Sequence, residues 1–189
     1  MIHPLADCMN KNIPESTKVW QFTVIFPNCK VGENCNFNAN VLVENDVVIG
    51  NNVTLKSGVQ IWDGITIEDD VFVGPNASFA NDPYARSKHF KEPVKTYLKK
   101  GCSIGSNATI LCGVTVSEYS FIGAGAVLTK STQPYTLWVG NPARQIGYIT
   151  KDGITLDMDM KDKNGVEHIV PTDMGGQFLS SLFAKKLVA

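Results

Sequence analysis

Val41 to Ala80 reads VLVENDVVIGNNVTLKSGVQIWDGITIEDDVFVGPNASFA, and the period of this stretch decides the fold. Large apolar residues recur at every sixth position: Val43, Ile49, Leu55, Ile61, Ile67, Val73 and Phe79. A second column runs through Val41, Val47, Val53, Val59, Ile65, Val71 and Ala77, all small or β-branched. A period of six matches neither the 3.6 of a helix nor the 2 of a strand, so it is read as a repeat.

Followed backwards, the first column continues through Phe37, Val31, Ile25 and Val19 to Ile13, and the second through Cys35 and Cys29. The first column then holds twelve apolar residues without a gap. In a chain that is 43% hydrophobic, chance would produce this in a chosen register with a probability of roughly 4 × 10⁻⁵. Glycine often follows the first column, as in Val31-Gly32, Ile49-Gly50 and Val73-Gly74, and asparagine gathers at positions such as Asn51-Asn52. Each hexad therefore reads as one short strand and a corner, and three hexads as one triangular coil. The large column fills the prism, and stacked coils pair their backbones about 4.8 Å apart. The expectation is an all-β chain, a parallel β-helix of about six coils, because one coil cannot bury its own face.

Followed forwards, the beat stops at ANDPYARSKHFKEPVKTY, Ala80 to Tyr97. It resumes with Leu98, Ile104, Ile110, Val116, Ile122 and Leu128, beside a small column of Cys102, Ala108, Val114, Ser120 and Ala126. The interval from Phe79 to Leu98 is three hexads plus one residue, so the loop 80–97 is inserted at a corner and shifts the register. An 18-residue excursion without apolar periodicity is long for a compact domain, and ordered loops of that length usually carry function. After Leu128 the beat fades through Ser131 to Pro134, and WVGNPARQIGYI (Trp138 to Ile149) reads as an exit segment. Residues 1–150 form the helical domain and 151–189 a C-terminal tail. In the tail, ITLDMDM and VEHIV flank Lys161 to Gly165 as a β-hairpin, and 180–187 (SSLFAKKL) reads as a short helix. The tail is expected to cap the prism or pack on a neighbour.

Bulk properties narrow the setting. A net charge of −1 over 189 residues gives no reason to expect nucleic acid. No apolar run approaches the ~20 residues of a membrane span, and Met1 to Trp20 is too polar for a signal peptide. Five cysteines without a CxxC pair, three of them on the inward column, fit reduced thiols in the cytoplasm.

With the hexads, the loop and NPARxIG together, the chain resembles the left-handed β-helix (hexapeptide-repeat) acyltransferases over residues 1–150. More narrowly it is similar to the nucleotide-sugar N-acetyltransferases acting on dTDP-3-amino-3,6-dideoxy-hexoses, with the galacto series favoured. That likeness is carried by Val19–Phe22 (VWQF), Lys56–Asp63 (KSGVQIWD), Phe72–Asp82 (FVGPNASFAND), Arg86-Ser87 and Phe121–Lys130 (FIGAGAVLTK). The resemblance implies a homotrimer with acetyl-CoA in the groove between subunits, a nucleotide-linked amino sugar beside the loop, and no metal. The chain departs from the family's loop in having Ala80 before Asn81 and Ala85 before Arg86, where threonine and proline are usual.

The repeat also places side chains. Residues 18 apart stack, so Asn45, Asp63 and Asn81 form a polar column at the corner where the loop leaves, continued by Cys112 and Lys130 if the loop consumes no face. An amino-sugar nitrogen titrates near ~8, like an α-amino group. Part of it is therefore neutral at cytoplasmic pH, and alignment with the thioester matters more than a strong base. Asn81 is the candidate to hold the amine and Asp63 to orient it or accept its proton, against the alternative that both are ordinary corner residues. Asp82, Tyr84, Arg86 and Lys88 are candidate ligands of the sugar nucleotide, Arg86 as a bidentate partner of a diphosphate. For acetyl-CoA the candidates are Lys130 and Arg144 at phosphates, Pro142 beside the adenine, and the backbone around Ala108, Gly123 and Ala124 along the pantetheine.

His89 reads as a solvated surface histidine, with general base as the alternative. Cys112 has no base beside it and is not expected to carry the acyl group. Trp62 and Trp138 are read as subunit-packing residues or base-stacking platforms. Competing functions are O-acetyl transfer, acetylation of a UDP-linked amino sugar, and a non-catalytic β-helix subunit. A carbonic anhydrase of the same architecture would need three histidines on one metal, and His3, His89 and His168 are not on the repeating columns.

Overall fold

The computed structural model describes residues 1–171, so the helix expected over 180–187 lies outside the described residues. The hexads fold as a left-handed parallel β-helix with three faces built from short strands, most of them two residues long. On the first face Lys18–Val19, Asn36–Phe37, Thr54–Leu55, Phe72–Val73, Ser103–Ile104, Phe121–Ile122 and Thr136–Val139 run parallel, one per coil. The second face stacks Lys30–Val31, Val48–Ile49, Ile65–Ile67, Thr96–Leu98 and Thr115–Val116. The third is laddered in two blocks, Asp7–Cys8 through Gln60–Ile61 and Ser78–Phe79 through Val127–Leu128.

Seven rungs stand on the first face where the hexad count leads to about six. The third face also has seven, and the added rung lies at an end of each, where the step falls short of a full coil. Cys8 pairs with Ile25, one residue short, and Ile122 with Trp138, two residues short. A six-residue beat cannot register such steps.

Both sequence columns are the core. Val19, Ile25, Phe37 and every large-column residue from Val43 to Phe79 are buried, as are Cys29, Cys35 and the rest of the small column. Ile13 and Val31 are only half-buried. The small column also extends further back than its apolar members, through Thr23 and Thr17. Their hydroxyls donate to the carbonyls of Asn38 (2.8 Å) and Gly32 (3.0 Å), which lets a polar residue occupy the interior.

Corner chemistry explains the asparagines. Asn34, Asn40, Asn52, Asp70, Asn76 and Asn107 all adopt positive φ, between 56° and 63°, a left-handed conformation that asparagine and aspartate tolerate better than other side chains. Where coils approach most closely only glycine fits. A Cβ on Gly105 would lie 2.5 Å from the Ala124 nitrogen of the coil above.

Trp138 is buried, and its indole N–H donates to the Thr136 hydroxyl at 2.8 Å. It therefore fills the prism and serves neither subunit packing nor base stacking. Thr136–Val139 then turns back antiparallel into Arg144–Ile149, which pairs with Thr155–Leu156. The first expected arm of the tail hairpin thus adds to the main sheet, while Lys161 and Glu167 form a single antiparallel bridge across the turn between them. Among the described residues, no helix is long and apolar enough to cross a membrane.

Candidate active site

The loop leaves the third face after Phe79 and rejoins the second face at Thr96. Thr96 and Tyr97, read as the loop's end, belong to a strand, and Thr96 is buried. On the first face the ladder climbs from Thr54 to Phe72 over a regular coil and from Phe72 to Ser103 over the loop. The excursion therefore inserts thirteen residues into one coil. Its root is closed by the Val94 N–H donating to the Asn81 carbonyl at 2.8 Å and the Thr96 N–H to Gly64 at 3.1 Å. A 2.7 Å ion pair between Lys95 and Asp46 lies on the surface beside it. Because the ladder pairs Phe79 with Ile110 and Ile110 with Leu128, Cys112 and Lys130 stand above Asn81, one and two coils up.

At the loop's root, side chains reach across coils. Asp63 Oδ1 accepts the Asp46 N–H at 2.6 Å, and Asn45 Oδ1 accepts the Asn28 N–H at 3.2 Å. Both are thus corner-stabilising residues as well as members of the column. The Asn81 amide donates through Nδ2 to the Asp63 carbonyl at 3.4 Å, which turns its oxygen away from that contact. Glu44 Oε2 accepts the Asp63 N–H at 2.7 Å. Together these residues form one wall of a cleft of about 240 Å³ lined by Glu44, Asp63, Asn81 and Asp82 from the coil side. His89, Phe90, Lys91 and Pro93 line it from the loop.

The loop's contribution comes from its returning half. Asp82 Oδ1 accepts the Tyr84 N–H at 2.8 Å, starting a turn. The chain then reverses between Arg86 and His89, with the His89 N–H on the Arg86 carbonyl at 3.1 Å and Lys88 at φ 61°. That reversal carries Tyr84, Arg86 and Lys88 to an exposed tip outside the cleft and brings His89 and Phe90 back towards it. Arg86 spends one guanidinium N–H on the Ala85 carbonyl at 2.9 Å. Of the candidate sugar ligands, Asp82 is at the cleft and the other three are at the tip. Glu44 carries no sequence signal, since neither the hexad nor the column position marks it, and Phe90, Lys91 and Pro93 are marked only by belonging to the loop. His89 is exposed, as its reading as a solvated side chain expects, and it also lines the cleft.

On the expected cofactor side, Lys130 Nζ sits 5.4 Å from the Trp138 ring centroid, within cation–π range. Pro142 and Arg144 are exposed at the turn and strand that follow. The backbone N–H groups of Ala108 and Gly123 are already committed, to the carbonyls of Gly105 (3.2 Å) and Trp138 (2.7 Å). Ala124, by contrast, is exposed at its corner. His168 lies 3.3 Å from Asp162 in the tail and His3 at the N-terminal end, so the three histidines occupy three separate places. Burial pushes the Cys102 thiol well above its usual range, consistent with a filler.

Residues 46–81 match the bacterial transferase hexapeptide family (six repeats), and residues 100–130 match the hexapeptide repeat of succinyl-transferase, one on each side of the loop. The chain is 48% identical over 55 residues to the dTDP-3-amino-3,6-dideoxy-alpha-D-galactopyranose 3-N-acetyltransferase of Aneurinibacillus thermoaerophilus. That match covers 29% of each chain. Among solved structures, a mutant of perosamine N-acetyltransferase from Caulobacter crescentus, in complex with CoA and GDP-perosamine, has a TM-score of 0.59 at 21% identity. It covers 77% of this chain and 55% of that one. The acetyltransferase domain of PglB from Neisseria gonorrhoeae, in complex with acetyl coenzyme A, has a TM-score of 0.57 at 20% identity, covering 76% and 56%. The chain thus spans under a third of that curated relative and a little over half of those two structures. The resemblance to hexapeptide-repeat acyltransferases read from the sequence holds, through the repeats, the fold and a stretch of close identity to an amino-sugar N-acetyltransferase.

Proposed function

We propose that the chain is an acetyl-CoA-dependent nucleotide-sugar N-acetyltransferase acting on the 3-amino group of a dTDP-3-amino-3,6-dideoxy-hexose of the galacto series. It works in the cytoplasm as a homotrimer, in a pathway towards surface polysaccharide. The observation that carries the reading is Asn81 at the loop's root, lining the cleft with its Nδ2 on the Asp63 carbonyl. The local identity to a dTDP-sugar enzyme favours dTDP and the galacto series. The GDP-sugar bound by the perosamine enzyme makes the base of the nucleotide the part to test first.

In this reading Asn81 Oδ1 accepts one N–H of the neutral amine and aims the nitrogen lone pair at the thioester. A carboxylate there would hold the ammonium form more strongly. The C–N bond forms, backbone N–H groups meet the oxyanion, and the C–S bond breaks. The surplus proton passes to Asp63 or to the departing thiolate. Asp82 and the loop tip with Tyr84, Arg86 and Lys88 hold the sugar nucleotide, while Lys130, Pro142, Arg144 and the corner at Ala124 hold acetyl-CoA. The test is thiol release from acetyl-CoA with a panel of dTDP-, UDP- and GDP-linked 3- and 4-amino sugars. Acetylation of the dTDP-3-amino sugars is expected, and no acetylation across the panel would end this reading.

A second reading rests on His89 lining the cleft. Acetyl transfer to a hydroxyl needs a general base, and the imidazole is placed to be one. His89→Ala lowers turnover by less than about fivefold if alignment dominates, whereas loss of a true general base costs about 10²-fold or more.

A further inference from the structure

We infer that Glu44 is a positioning residue for this cleft, acting through Asp63. The inference rests on the proposed acetyl transfer at the loop's root, but the bonds that motivate it are independent of any substrate.

Glu44 follows the strand Leu42–Val43, one coil below Asp63. Its backbone N–H stays in the ladder, donating to Ile61 O at 3.0 Å. Its side chain climbs one coil and accepts the Asp63 N–H at 2.7 Å. Asp63 answers in the other direction, with Oδ1 on the Asp46 N–H at 2.6 Å. Two neighbouring corners are therefore clasped by reciprocal side chain-to-backbone bonds, each with a carboxylate as acceptor, the stronger kind of hydrogen bond.

The clasp joins two paired coils directly below the step where the ladder is interrupted. The third face ends one block at Gln60–Ile61 and begins the next at Ser78–Phe79. The corner between those strands carries Asp63, and the next corner carries Asn81. With no strand pairing at that step, Asn81 is tied to the Asp63 corner by its own side-chain bond and by the returning loop, whose Val94 and Thr96 N–H groups donate to Asn81 and Gly64. The bond from Asn81 to the Asp63 carbonyl, at 3.4 Å, is too long to fix Asn81 by itself. Glu44 thus holds Asp63 at its N–H, the residue whose carbonyl the Asn81 amide reaches, and through that residue it biases the direction of the Asn81 oxygen. A misplacement of about 1 Å in such a support can cost on the order of 10²-fold in rate.

The test compares Glu44→Ala with Glu44→Gln. Glutamine keeps an oxygen that can accept the Asp63 N–H, and alanine does not. Glu44→Ala is expected to lower kcat about tenfold to hundredfold with the KM for acetyl-CoA unchanged, and Glu44→Gln to restore it to within about threefold. Hydrogen exchange of the Asp63 amide, measured without substrates, should accelerate about tenfold or more in the alanine variant and much less in the glutamine variant. Wild-type kcat in Glu44→Ala, or equal losses in both variants, would overturn the inference. If the wild-type chain acetylates nothing in the panel, the functional reading fails separately. The exchange rates then decide for Glu44, an unchanged Asp63 rate in Glu44→Ala removing it.

Discussion

Replacing Asn81 by alanine separates chemistry from architecture. The bond that closes the loop's root is donated by Val94 to the Asn81 backbone carbonyl, which alanine retains. The side-chain bond that disappears is 3.4 Å long, at the outer edge of hydrogen-bond geometry. Its net contribution to stability is at most about 0.5 kcal/mol. At this chain length a change of that size moves the melting temperature by only about 1–2 °C. Turnover should respond differently. Losing the acceptor that aligns the amine removes one hydrogen bond and the orientation it imposes, about 1.4–2.7 kcal/mol of barrier, or tenfold to hundredfold in kcat. The assay is thiol release at saturating acetyl-CoA, paired with thermal melting. Unchanged kcat takes Asn81 out of the site. A melting temperature lowered by more than about 5 °C would instead make it a structural corner. Asn81→Asp sharpens the test, since it keeps an oxygen but adds a charge that raises the pKa of the bound amine. The rate profile is then expected to move to higher pH by about one unit, and an unmoved profile would mean the amine is not held there.

Gly105→Ala should destabilise the helix by about 2–3 kcal/mol, or about 5–10 °C in melting, because the new Cβ meets the Ala124 nitrogen at 2.5 Å and the Gly123 carbonyl carbon at 2.7 Å. A wild-type melting temperature would refute such tight stacking. Lys130→Ala is expected to raise the KM for acetyl-CoA about tenfold with kcat nearly unchanged, the pattern of a lost phosphate contact made equally in ground and transition states. An unchanged KM would return Lys130 to the surface. In the tail, the Val166 N–H bond, helped by His168 and the Asn164 N–H, holds the Asp162 carboxyl below its usual range. Its contribution is therefore complete above the ordinary carboxylate range near ~4 and is lost as pH falls through the lowered native value. Hydrogen exchange at Val166 should accelerate in that acid window and stay unaffected around neutral pH.

The hexad columns foretold the interior almost residue by residue, because burial in a coil is a local and periodic property. A large aliphatic at every sixth position either faces inward in every coil or in none. The same arithmetic stacked Asn81 over Asp63 and put Lys130 above them, since the stacking of coils survives the inserted loop. At the ends the arithmetic fails, because Cys8 and Trp138 join their rungs at steps short of a full coil.

Inside the loop nothing repeats, and there the tertiary structure decided. The outgoing arm carries Asp82, Tyr84, Arg86 and Lys88, the candidate ligands of the sugar nucleotide. The reversal at Lys88 puts that arm at the tip and turns His89 and Phe90 into the cleft wall. Glu44 was equally hidden, since a flexible side chain that crosses a coil to find a backbone N–H leaves no mark on spacing. Sequence alone thus determined the prism and the corner from which the loop departs, because these follow from which residues avoid water. The cleft's wall is set by single hydrogen bonds and one left-handed residue, which exist only once the coils are stacked.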